Sequence, residues 1–460
     1  MPRSSPRRTD PDAAPPLRWQ ARALRGAYST LLGLARPLYL LRLWRRGAAE
    51  PLYRHAVAER FGHYAAAPSH GWLWLHAVSL GETRAAAALI EALRALRPGL
   101  PLLLTHGTAT GREAGAALLQ PGDAQAWLPY DTPQAVRRFL AQHRPALGVL
   151  METEIWPNLL FEAHRAGVPM VLANARLSER SERRGRRFAG VLHAAVERLT
   201  LVLAQTADDA VRLRRSGARE VVVAGNLKFD LAPDPALLAI GRDWRAHIGR
   251  PVVLAAVTRE GEEAPLLAAW AARPAPRPLL LVVPRHPQRF DEVAGLVGAA
   301  GFTLARRSSW QDLPPAAAAQ ADVWLGDSMR EMALYYALAQ VALLGGSFAP
   351  LGGQNLIEAA ACGCPVVMGP HTFNFADAAE LALAAGAALR VESIAAAVDT
   401  AFRLLADDAE RERRSAQALA FAGAHRGAAA RMATAIAALL GPAPELSADR
   451  SAAPSGPAGR

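Results

Sequence analysis

Three acidic residues directly follow apolar runs in the first half of the chain. HAVSLGETR places Glu82 just after Gly81 at a strand-to-helix turn, and METEIWPN carries Glu152 and Glu154 at the end of another apolar run. A carboxylate at such a turn is suited to act as a general base toward a hydroxyl group. Glu82 is also suited to cap a helix, because an acidic side chain in the first turn interacts favourably with the helix dipole. Residue type and position alone favour capping over catalysis.

Other polar residues suited to holding a substrate lie close to these acids in the sequence. Glu152 and Glu154 share one face of the strand end, since strand residues two apart point the same way, and they are placed to orient hydroxyl groups or arginines. NARLSERS adds side chains suited to an anionic ligand, although loop capping would explain any one of them. The candidate substrate-binding residues of this half are Ser79, Gly81, Arg84, Glu152, Glu154, Asn174, Arg176 and Ser178.

Lys228 in GNLKFD is the only lysine of the chain, because the other 51 of the 52 basic residues are arginines. A compact ammonium group is suited to a phosphate or a carboxylate. Chance retention of one surface lysine explains the residue equally well. We include Lys228 among the candidate substrate-binding residues.

The second half offers a site for a phosphorylated ligand. VVPRHPQRF places Arg285 at a strand end, where a guanidinium can hold a phosphate through two hydrogen bonds. LLGGSFAPLGGQNLIEAAACG joins a glycine-rich loop to a helix start near Asn355, which predicts exposed backbone N–H groups and a favourable dipole for phosphate. Glu358, one turn into that helix, is placed to accept hydrogen bonds from ribose hydroxyls. Further candidates are His286, which is equally a turn residue, and Gly346, Ser347 and Gln354.

Two series of strand-then-helix patterns must position these residues. Apolar runs such as WLWLHAVS and RPVVLAAVTREGEE end in small or polar residues and give way to helical periodicity. This rhythm predicts an α/β chain with two parallel, doubly wound sheets. We place a basic disordered tail at 1–17, an N-terminal helical segment at 18–60, a first domain at 61–232, a second domain at 233–441 and a disordered tail at 442–460.

The positive charge is concentrated at the N-terminus. Residues 1–60 contain twelve arginines against four acidic residues, so they carry +8 of the net charge of +11. The apolar stretch 28–44 is interrupted by Arg36, Pro37 and Arg42, and it is short for a transmembrane span. A helix lying on an anionic membrane surface and a first helix packed on its own domain are comparable alternatives. No secretory signal is evident, so export is not expected.

Several function classes do not fit the sequence. Cys362 and Cys364 are the only cysteines, which excludes a disulfide framework and a cysteine-rich zinc site. Neither a Walker pattern nor G-x-G-x-x-G after the first strand occurs, so ATPase and dehydrogenase activities are not expected. His and carboxylate residues do not gather at metal-ligand spacings. Nucleic-acid binding ranks last, because aromatic residues make up only 6% of the chain and the basic residues lie away from the candidate sites.

Eight ordered motifs carry a family resemblance from about Leu31 to Ala430. HAVSLGETR, LPYDTP, METEIWPNL, NARLSERS, GNLKFD, PRHPQRF, GGQNLIEA and MGPHTFNF resemble the motifs of the 3-deoxy-D-manno-octulosonic acid (Kdo) transferases of lipopolysaccharide synthesis. The resemblance implies an α/β GT-B glycosyltransferase with two Rossmann-like domains facing each other across a cleft. It also implies inverting transfer of Kdo from CMP-Kdo to the lipid A precursor, lipid IVA, at the cytoplasmic face of the cell inner membrane.

The same resemblance assigns roles to individual residues. Glu82 would be the base that activates the acceptor hydroxyl, with no covalent enzyme intermediate, no metal and no cofactor apart from the donor substrate CMP-Kdo. The membrane surface is an implied partner, and nucleic acid is not. The residues implied around CMP are Pro284, Arg285, Met329, Arg330, Glu331, Asn355, Leu356, Ile357 and Glu358.

The chain departs from the family pattern at three places. Arg330 stands where the family usually has glycine, Gln354 replaces the histidine of GGHN, and Val257-Thr258-Arg259 replaces Ser-Thr-His. If the backbone at position 330 requires a positive φ, the arginine destabilises the fold; otherwise it adds a contact to phosphate. An inactive membrane scaffold and a GT-B enzyme that uses another nucleotide sugar are the alternative functions.

Overall fold

The computed structural model describes residues 19–185, 189–230 and 232–440. The chain forms two compact units, one comprising 1–227 and 427–460, the other comprising 228–426. Each unit has its own parallel sheet and its own core. The disordered tails expected at 1–17 and 442–460 lie outside the described residues.

The first unit contains a seven-stranded parallel sheet among its described residues, in the order β3-β2-β1-β4-β5-β6-β7. Helices flank this sheet. The strands are β1 (Leu73–His76), β2 (Leu102–His106), β3 (Ala124–Trp127), β4 (Leu147–Met151), β5 (Met170–Ala175), β6 (Leu201–Ala204) and β7 (Val221–Val223). The helices are α1 (Trp19–Leu34), α2 (Arg36–Ala49), α3 (Leu80–Leu96), α4 (Ala109–Ala116), α5 (Pro133–His143), α6 (Pro157–Arg165), α7 (Glu179–Gly185), α8 (Ala189–Val196) and α9 (Ala207–Arg215).

The second unit also contains a seven-stranded parallel sheet among its described residues, in the order β10-β11-β9-β8-β12-β13-β14. Its strands are β8 (Val252–Thr258), β9 (Leu279–Pro284), β10 (Leu304–Arg306), β11 (Val323–Leu325), β12 (Val341–Leu344), β13 (Val366–Met368) and β14 (Ala388–Arg390). Its helices are α10 (Pro235–Ile248), α11 (Glu263–Ala271), α12 (Phe290–Ala299), α13 (Ala316–Gln320), α14 (Met332–Leu338), α15 (Leu356–Ala361), α16 (Ala376–Ala384), α17 (Ile394–Ala406) and α18 (Asp408–His425).

The central strands are buried on both faces, which explains their continuous apolar runs. Every residue of β1, β2 and β4 is buried, as expected for a parallel sheet covered by helices on both sides. Separate apolar clusters fill the two faces of each sheet. The parallel, doubly wound α/β architecture predicted from the sequence is therefore confirmed.

The strand order reverses between β1 and β4 in the first sheet and between β8 and β12 in the second. In open α/β sheets, ligands bind beyond the carboxyl ends of the strands at such a reversal. Each unit thus has one position where its topology favours a ligand site. Glu82 follows β1 and Glu152 follows β4, so both lie at the reversal of the first sheet.

The last helix, α19 (Ala428–Leu439), belongs to the first unit, although it follows the second unit in sequence. Its buried residues join the same apolar cluster as α3 and β1. The Arg431 guanidinium donates a hydrogen bond to the Ala224 carbonyl, which fixes the helix to the end of β7. The sequence placed residues up to 441 in the second domain and the interdomain boundary near 232. The compact units instead divide after 227 and 426, and the second division differs because the apolar residues of α19 pack with those of α3 and β1.

Helices α1 and α2 pack on the first unit through one side only. Tyr28 donates a hydrogen bond to Asp131 at 3.0 Å, and the ring of Tyr39 stacks on that of Tyr130. The other side exposes a row of large apolar side chains between arginines: Leu31, Leu34, Leu38, Leu41 and Trp44. The two helices meet at Ala35, just before Arg36-Pro37 starts the second one. The segment therefore packs on its own domain and still presents an apolar outer face.

Candidate active site

Glu82 lies in the first turn of α3, where its carboxylate closes a reciprocal cap. Oε2 accepts a hydrogen bond from the Val78 backbone N–H at 2.8 Å, and Oε1 accepts one from the Ser79 hydroxyl at 3.2 Å. Ser79 is the N-cap, and its hydroxyl oxygen accepts from the Glu82 backbone N–H. This is a variant of the capping box, because the carboxylate accepts from the N–H of Val78, the residue before the N-cap, and not from the N–H of Ser79 itself. The capping role favoured by residue type is therefore present, and Ser79 serves it too.

The same carboxylate has the protonation behaviour of a base. The pKa of Glu82 is raised to about 7: burial is the main cause, the negative charges of Glu154 and Glu152 add to the increase, and hydrogen bonds from Val78 and Ser79 oppose it. A carboxyl group with a pKa near the working pH is well matched to accepting a proton from a hydroxyl. Capping and base catalysis are thus compatible properties of one side chain.

The ends of β4 and β5 lie beside each other and are linked by hydrogen bonds between their backbones. Glu152 N–H donates to the Ala173 carbonyl at 2.9 Å, and Arg176 N–H donates to the Glu152 carbonyl at 3.3 Å. Burial raises the pKa of Glu154, and the charge of Glu152 adds to that increase. The structure therefore places Glu152, Glu154 and Arg176 at one edge of the sheet, with both acids within electrostatic range of Glu82.

Left-handed backbone is concentrated at these strand ends. Among the described residues, six non-glycine residues have a positive φ, and four of them are Glu152 at 57°, Asn174 at 53°, Val257 at 60° and Arg330 at 67°. Each of the four lies at or beyond the carboxyl end of a strand. Backbone strain of this kind costs free energy and clusters at functional sites. It supports the choice of these edges as ligand sites in both units.

The remaining candidates of the first half have different environments. Asn174 is fully buried, and its side-chain oxygen accepts from the Leu227 N–H, so it supports the backbone. Ser178 is exposed and accepts a hydrogen bond from the Ser181 N–H at the start of α7. Arg84 and Gly81 are exposed on the first turns of α3. Lys228 belongs to the second unit, where its ammonium lies over the ring of Phe375.

Arg285 offers a cation beyond the end of β9. Its backbone N–H donates to the Thr258 carbonyl at 2.9 Å, so the residue is tied to the end of β8. Its side chain is exposed, and within the described part of the chain it makes no hydrogen bond or ion pair. Pro284 is the last residue of β9, and His286 precedes the short turn at Pro287–Arg289. This guanidinium is available to an anionic ligand.

The sequence predicted exposed backbone N–H groups in the glycine-rich loop after β12, but several of them are hydrogen-bonded within the protein. The backbone N–H groups of Gly346, Phe348 and Ala349, which were expected to be exposed to phosphate, donate to the carboxylate of Glu262. Ser347 is buried, and its hydroxyl oxygen accepts from the Gly369 N–H. The loop is therefore already satisfied by an anionic side chain of the protein. An anion bound at this edge has to be held by other groups.

The helix after the loop keeps two polar side chains at its start. Asn355 is the N-cap of α15, and its side-chain oxygen accepts from the Ile357 N–H at 3.1 Å. Burial raises the pKa of Glu358, and within residues 19–185, 189–230 and 232–440 its carboxylate has no hydrogen-bond or ion-pair partner. Leu356 and Ile357 are buried in the core, so their side chains do not reach a ligand. Gln354 lies next to Gly346.

The segment around Arg330 divides into an exposed turn and an anchored acid. Met329 and Arg330 are exposed. The Glu331 carboxylate pairs with Arg307 at 2.8 Å and accepts hydrogen bonds from Ser328 and from Tyr335. Its side chain therefore holds the turn in place. The structure thus gives the Glu331 side chain a supporting position, whereas Met329 and Arg330 face solvent.

Arg330→Gly is expected to stabilise the protein. An L-residue in the left-handed region costs about 1–2 kcal/mol, and glycine removes most of this cost although it loses more backbone entropy on folding. We expect a net gain of about 1 kcal/mol in the free energy of unfolding, measured by urea denaturation. Arg330→Ala is the control, because it removes the charge and keeps the strain. A glycine variant no more stable than the alanine variant would contradict the strained φ of 67°.

Two buried acids near β8 were missed by sequence reasoning. Glu262 is the N-cap of α11 and Glu263 is its first residue, and they are 3% and 1% exposed. Glu263 accepts from the Thr258 hydroxyl at 2.8 Å and pairs with Arg289 at 2.6 Å. The signal was present in TREGEE, where an acidic pair closely follows a central strand.

In the described part of the chain, no group of three or more His, Cys, Asp or Glu side chains could hold a metal ion.

Known proteins resemble this chain in sequence and in fold. Residues 55–231 match the model of a family described as 3-deoxy-D-manno-octulosonic-acid transferase (kdotransferase). The 3-deoxy-D-manno-octulosonic acid transferase of Bordetella pertussis is 50% identical over 431 residues, covering 91% of this chain and 100% of that protein. The enzyme of the same name from Haemophilus influenzae is 35% identical, covering 84% and 92%. HepE of Anabaena, solved with UDP, covers 80% of this chain and 99% of its own at 16% identity and a TM-score of 0.53, which confirms the GT-B fold.

Proposed function

Because this chain belongs to the 3-deoxy-D-manno-octulosonic acid (Kdo) transferase family, we propose that it moves Kdo from CMP-Kdo to a hydroxyl of the lipid A precursor, lipid IVA. The observation that carries the proposal is the half-buried Glu82 carboxylate at the strand reversal of the first unit, with its pKa raised to about 7. The acceptor hydroxyl binds beside Glu82, and CMP binds at the reversal of the second sheet.

The reaction is a direct displacement with inversion at the anomeric carbon of Kdo. Glu82 removes the proton of the acceptor hydroxyl, and the resulting oxygen nucleophile forms the new bond to the anomeric carbon. The bond from that carbon to the phosphate oxygen of CMP breaks, and its electron pair leaves with CMP. Glu82 then holds the proton, which it releases to solvent. Burial, together with the charges of Glu154 and Glu152, keeps the pKa of this base high enough for the transfer.

Two side chains of the second unit are suited to the nucleotide. The exposed guanidinium of Arg285 can form two parallel hydrogen bonds to the phosphate of CMP, and it neutralises the charge that develops as CMP leaves. Glu358 has no hydrogen-bond or ion-pair partner in the described part of the chain, and it accepts hydrogen bonds from the ribose hydroxyls. Arg285 thus supplies positive charge to the leaving group, so we propose that transfer needs no metal ion. Activity retained in EDTA tests that point.

We also propose that the outer face of α1 and α2 lies on the cytoplasmic surface of the inner membrane. This face consists of Leu31, Leu34, Leu38, Leu41 and Trp44, and arginines surround it. An amphipathic surface with a basic border binds anionic lipid through apolar burial and charge together. None of the helices described is both long enough and apolar enough to cross a membrane. The proposal of membrane contact rests on the exposed apolar face and its basic border.

Leu34→Asp combined with Leu38→Asp is expected to weaken binding to vesicles that contain anionic phospholipid. The two leucines are 74% and 67% exposed, so the substitutions leave the core intact and place charge where burial is needed. We expect about a tenfold or greater loss in the bound fraction, measured by co-sedimentation. Leu419→Asp on α18 is the control, since that leucine is also exposed. Equal sedimentation of the double variant and the wild type would reject this face as the membrane contact.

A comparison of possible sugar donors, each supplied separately, tests the proposed enzymatic activity. The protein is incubated with lipid IVA and either CMP-Kdo or UDP-activated sugars, with and without EDTA, and the glycolipid product is separated by chromatography. We expect a product with CMP-Kdo alone. A product formed only with a UDP-sugar would favour a GT-B enzyme of different donor specificity, and no product with any donor would favour a scaffold.

A further inference from the structure

The carboxylate of Glu262 is the centre of a set of backbone hydrogen bonds at the strand reversal of the second sheet. Oε2 accepts from the Arg259 N–H at 3.0 Å and from the Gly346 N–H at 2.7 Å. Oε1 accepts from the Phe348 N–H at 3.2 Å and from the Ala349 N–H at 3.4 Å. One buried side chain therefore binds four backbone donors in two separate loops.

These two loops follow the strands β8 and β12, which are neighbours in the centre of the sheet. The loop after β12 also lies directly against the end of β8, because a Cβ on Gly345 would be 2.4 Å from the Val257 carbonyl oxygen. Successive N–H groups that converge on one point form a concave site that binds anions. In this protein an internal carboxylate occupies the site, so the loop has a fixed shape before any ligand arrives.

We infer that Glu262 is a positioning residue for the nucleotide site: its carboxylate holds the glycine loop, and with it the start of α15, in the conformation that receives CMP. This inference rests on the proposed function, because it takes the strand reversal of the second sheet as the CMP site. The Gly353 N–H donates a hydrogen bond to the Gly346 carbonyl at 2.7 Å. This bond links the part of the loop held by Glu262 to the residues just before α15, Gln354 and Asn355. Glu262 itself is 3% exposed, and its carboxylate oxygens are occupied by backbone N–H groups, so we assign it a role in holding the loop.

Glu262→Gln gives the sharpest test, because it keeps the shape of the side chain. Each carboxylate oxygen of Glu262 accepts from two backbone N–H groups, and the substitution replaces one of these oxygens with an NH₂ group, which is a donor. Two buried backbone N–H groups therefore lose their acceptor. We expect the dissociation constant for CMP, measured by isothermal titration calorimetry, to rise about tenfold or more. The KM for CMP-Kdo should rise by a similar factor, while the KM for lipid IVA stays at the wild-type value.

Asp131→Asn is the matched control. Asp131 is also 3% exposed, and it accepts hydrogen bonds from the Asn158 and Leu159 backbone N–H groups in the first unit. The control should lower the thermal unfolding midpoint and leave the affinity for CMP unchanged. A merely structural role for Glu262 predicts the same result for both variants: lower stability with CMP affinity retained. Wild-type affinity for CMP in folded Glu262→Gln therefore overturns the inference.

Hydrogen exchange keeps the inference testable if the glutamine variant does not fold. In the wild-type protein, the amide protons of Gly346 and Phe348 should exchange slowly with or without CMP, and Glu262→Asp, with its shorter side chain, should speed their exchange and weaken CMP binding. Rapid exchange in the wild type would contradict the inference. Failure of the proposed function looks different, since the wild type would then neither bind CMP nor transfer Kdo while the two amides remained protected.

Discussion

Replacing Glu82 with glutamine is expected to lower kcat by about 10²–10⁴, the range typical of a lost general base. Glutamine cannot accept the proton of the acceptor hydroxyl at neutral pH. Its amide oxygen can still accept from the Val78 N–H, and its NH₂ group can donate to the Ser79 hydroxyl, so the helix cap is kept. The variant should therefore keep the thermal stability of the wild type and its affinity for CMP. Steady-state transfer assays and calorimetric titration with CMP measure the two quantities.

The pH dependence separates the two roles of Glu82. Below its pKa of about 7 the carboxyl group is protonated and cannot act as a base, so kcat/KM of the wild type should fall as the pH decreases through 7. The residual activity of Glu82→Gln should lack this dependence. If Glu82 only caps α3, the glutamine variant keeps near wild-type activity with the same pH profile, and the catalytic assignment is wrong.

Arg285→Ala is expected to lower kcat/KM for CMP-Kdo by about 10²-fold or more, because removal of a charge-assisted donor at a developing anion has effects of this size. The Arg285 side chain is exposed and makes no hydrogen bond or ion pair in the described part of the chain. Its removal should therefore leave the unfolding free energy unchanged. Kinetic assays at varied CMP-Kdo concentration, with parallel urea denaturation, give both values.

Two control variants define what the Arg285 result means. Arg285→Lys keeps the charge and loses the two-pronged geometry, so its kcat/KM should lie between those of the wild type and the alanine variant. Arg413→Ala removes another exposed arginine of the second unit, from α18, and should have no effect on kcat/KM. An alanine variant at position 285 within about twofold of the wild type would remove Arg285 from the donor site.

The sequence was sufficient to predict the central strands and the fold, because those strands are fully buried and read as apolar runs. It was insufficient for the edge strands β3, β10 and β14, whose sequences AQAW, LAR and ALR are short and only weakly apolar. At a sheet edge one side of the strand lacks a neighbour, so less apolar surface is needed. The position of α19 also escaped sequence reasoning, since only three-dimensional packing joins residues 428–439 to the first unit.

The candidate sites, like the fold, were only partly predictable from the sequence. Glu82 and Arg285 became candidates because each follows an apolar strand, and the family resemblance supplied the roles proposed for them. The state of the glycine loop was not, because its N–H donors are satisfied by Glu262, and Gly346 lies 84 residues further along the chain. The sequence left two outcomes open for Arg330, and the positive φ at that position selects the destabilising one. Long-range hydrogen bonds and backbone angles depend on the folded structure, which a local pattern does not specify.

Mass spectrometry of lipid IVA after incubation with this protein and freshly prepared CMP-Kdo is the most direct test of the central claim. Wild type and Glu82→Gln are assayed side by side at equal concentration, with CMP release followed in the same samples. We predict that the wild type adds one or more Kdo units, whose number the mass increments give, with an equal amount of CMP released. Glu82→Gln should yield almost none. Unmodified lipid IVA with the wild type, or equal product from both proteins, would contradict the account.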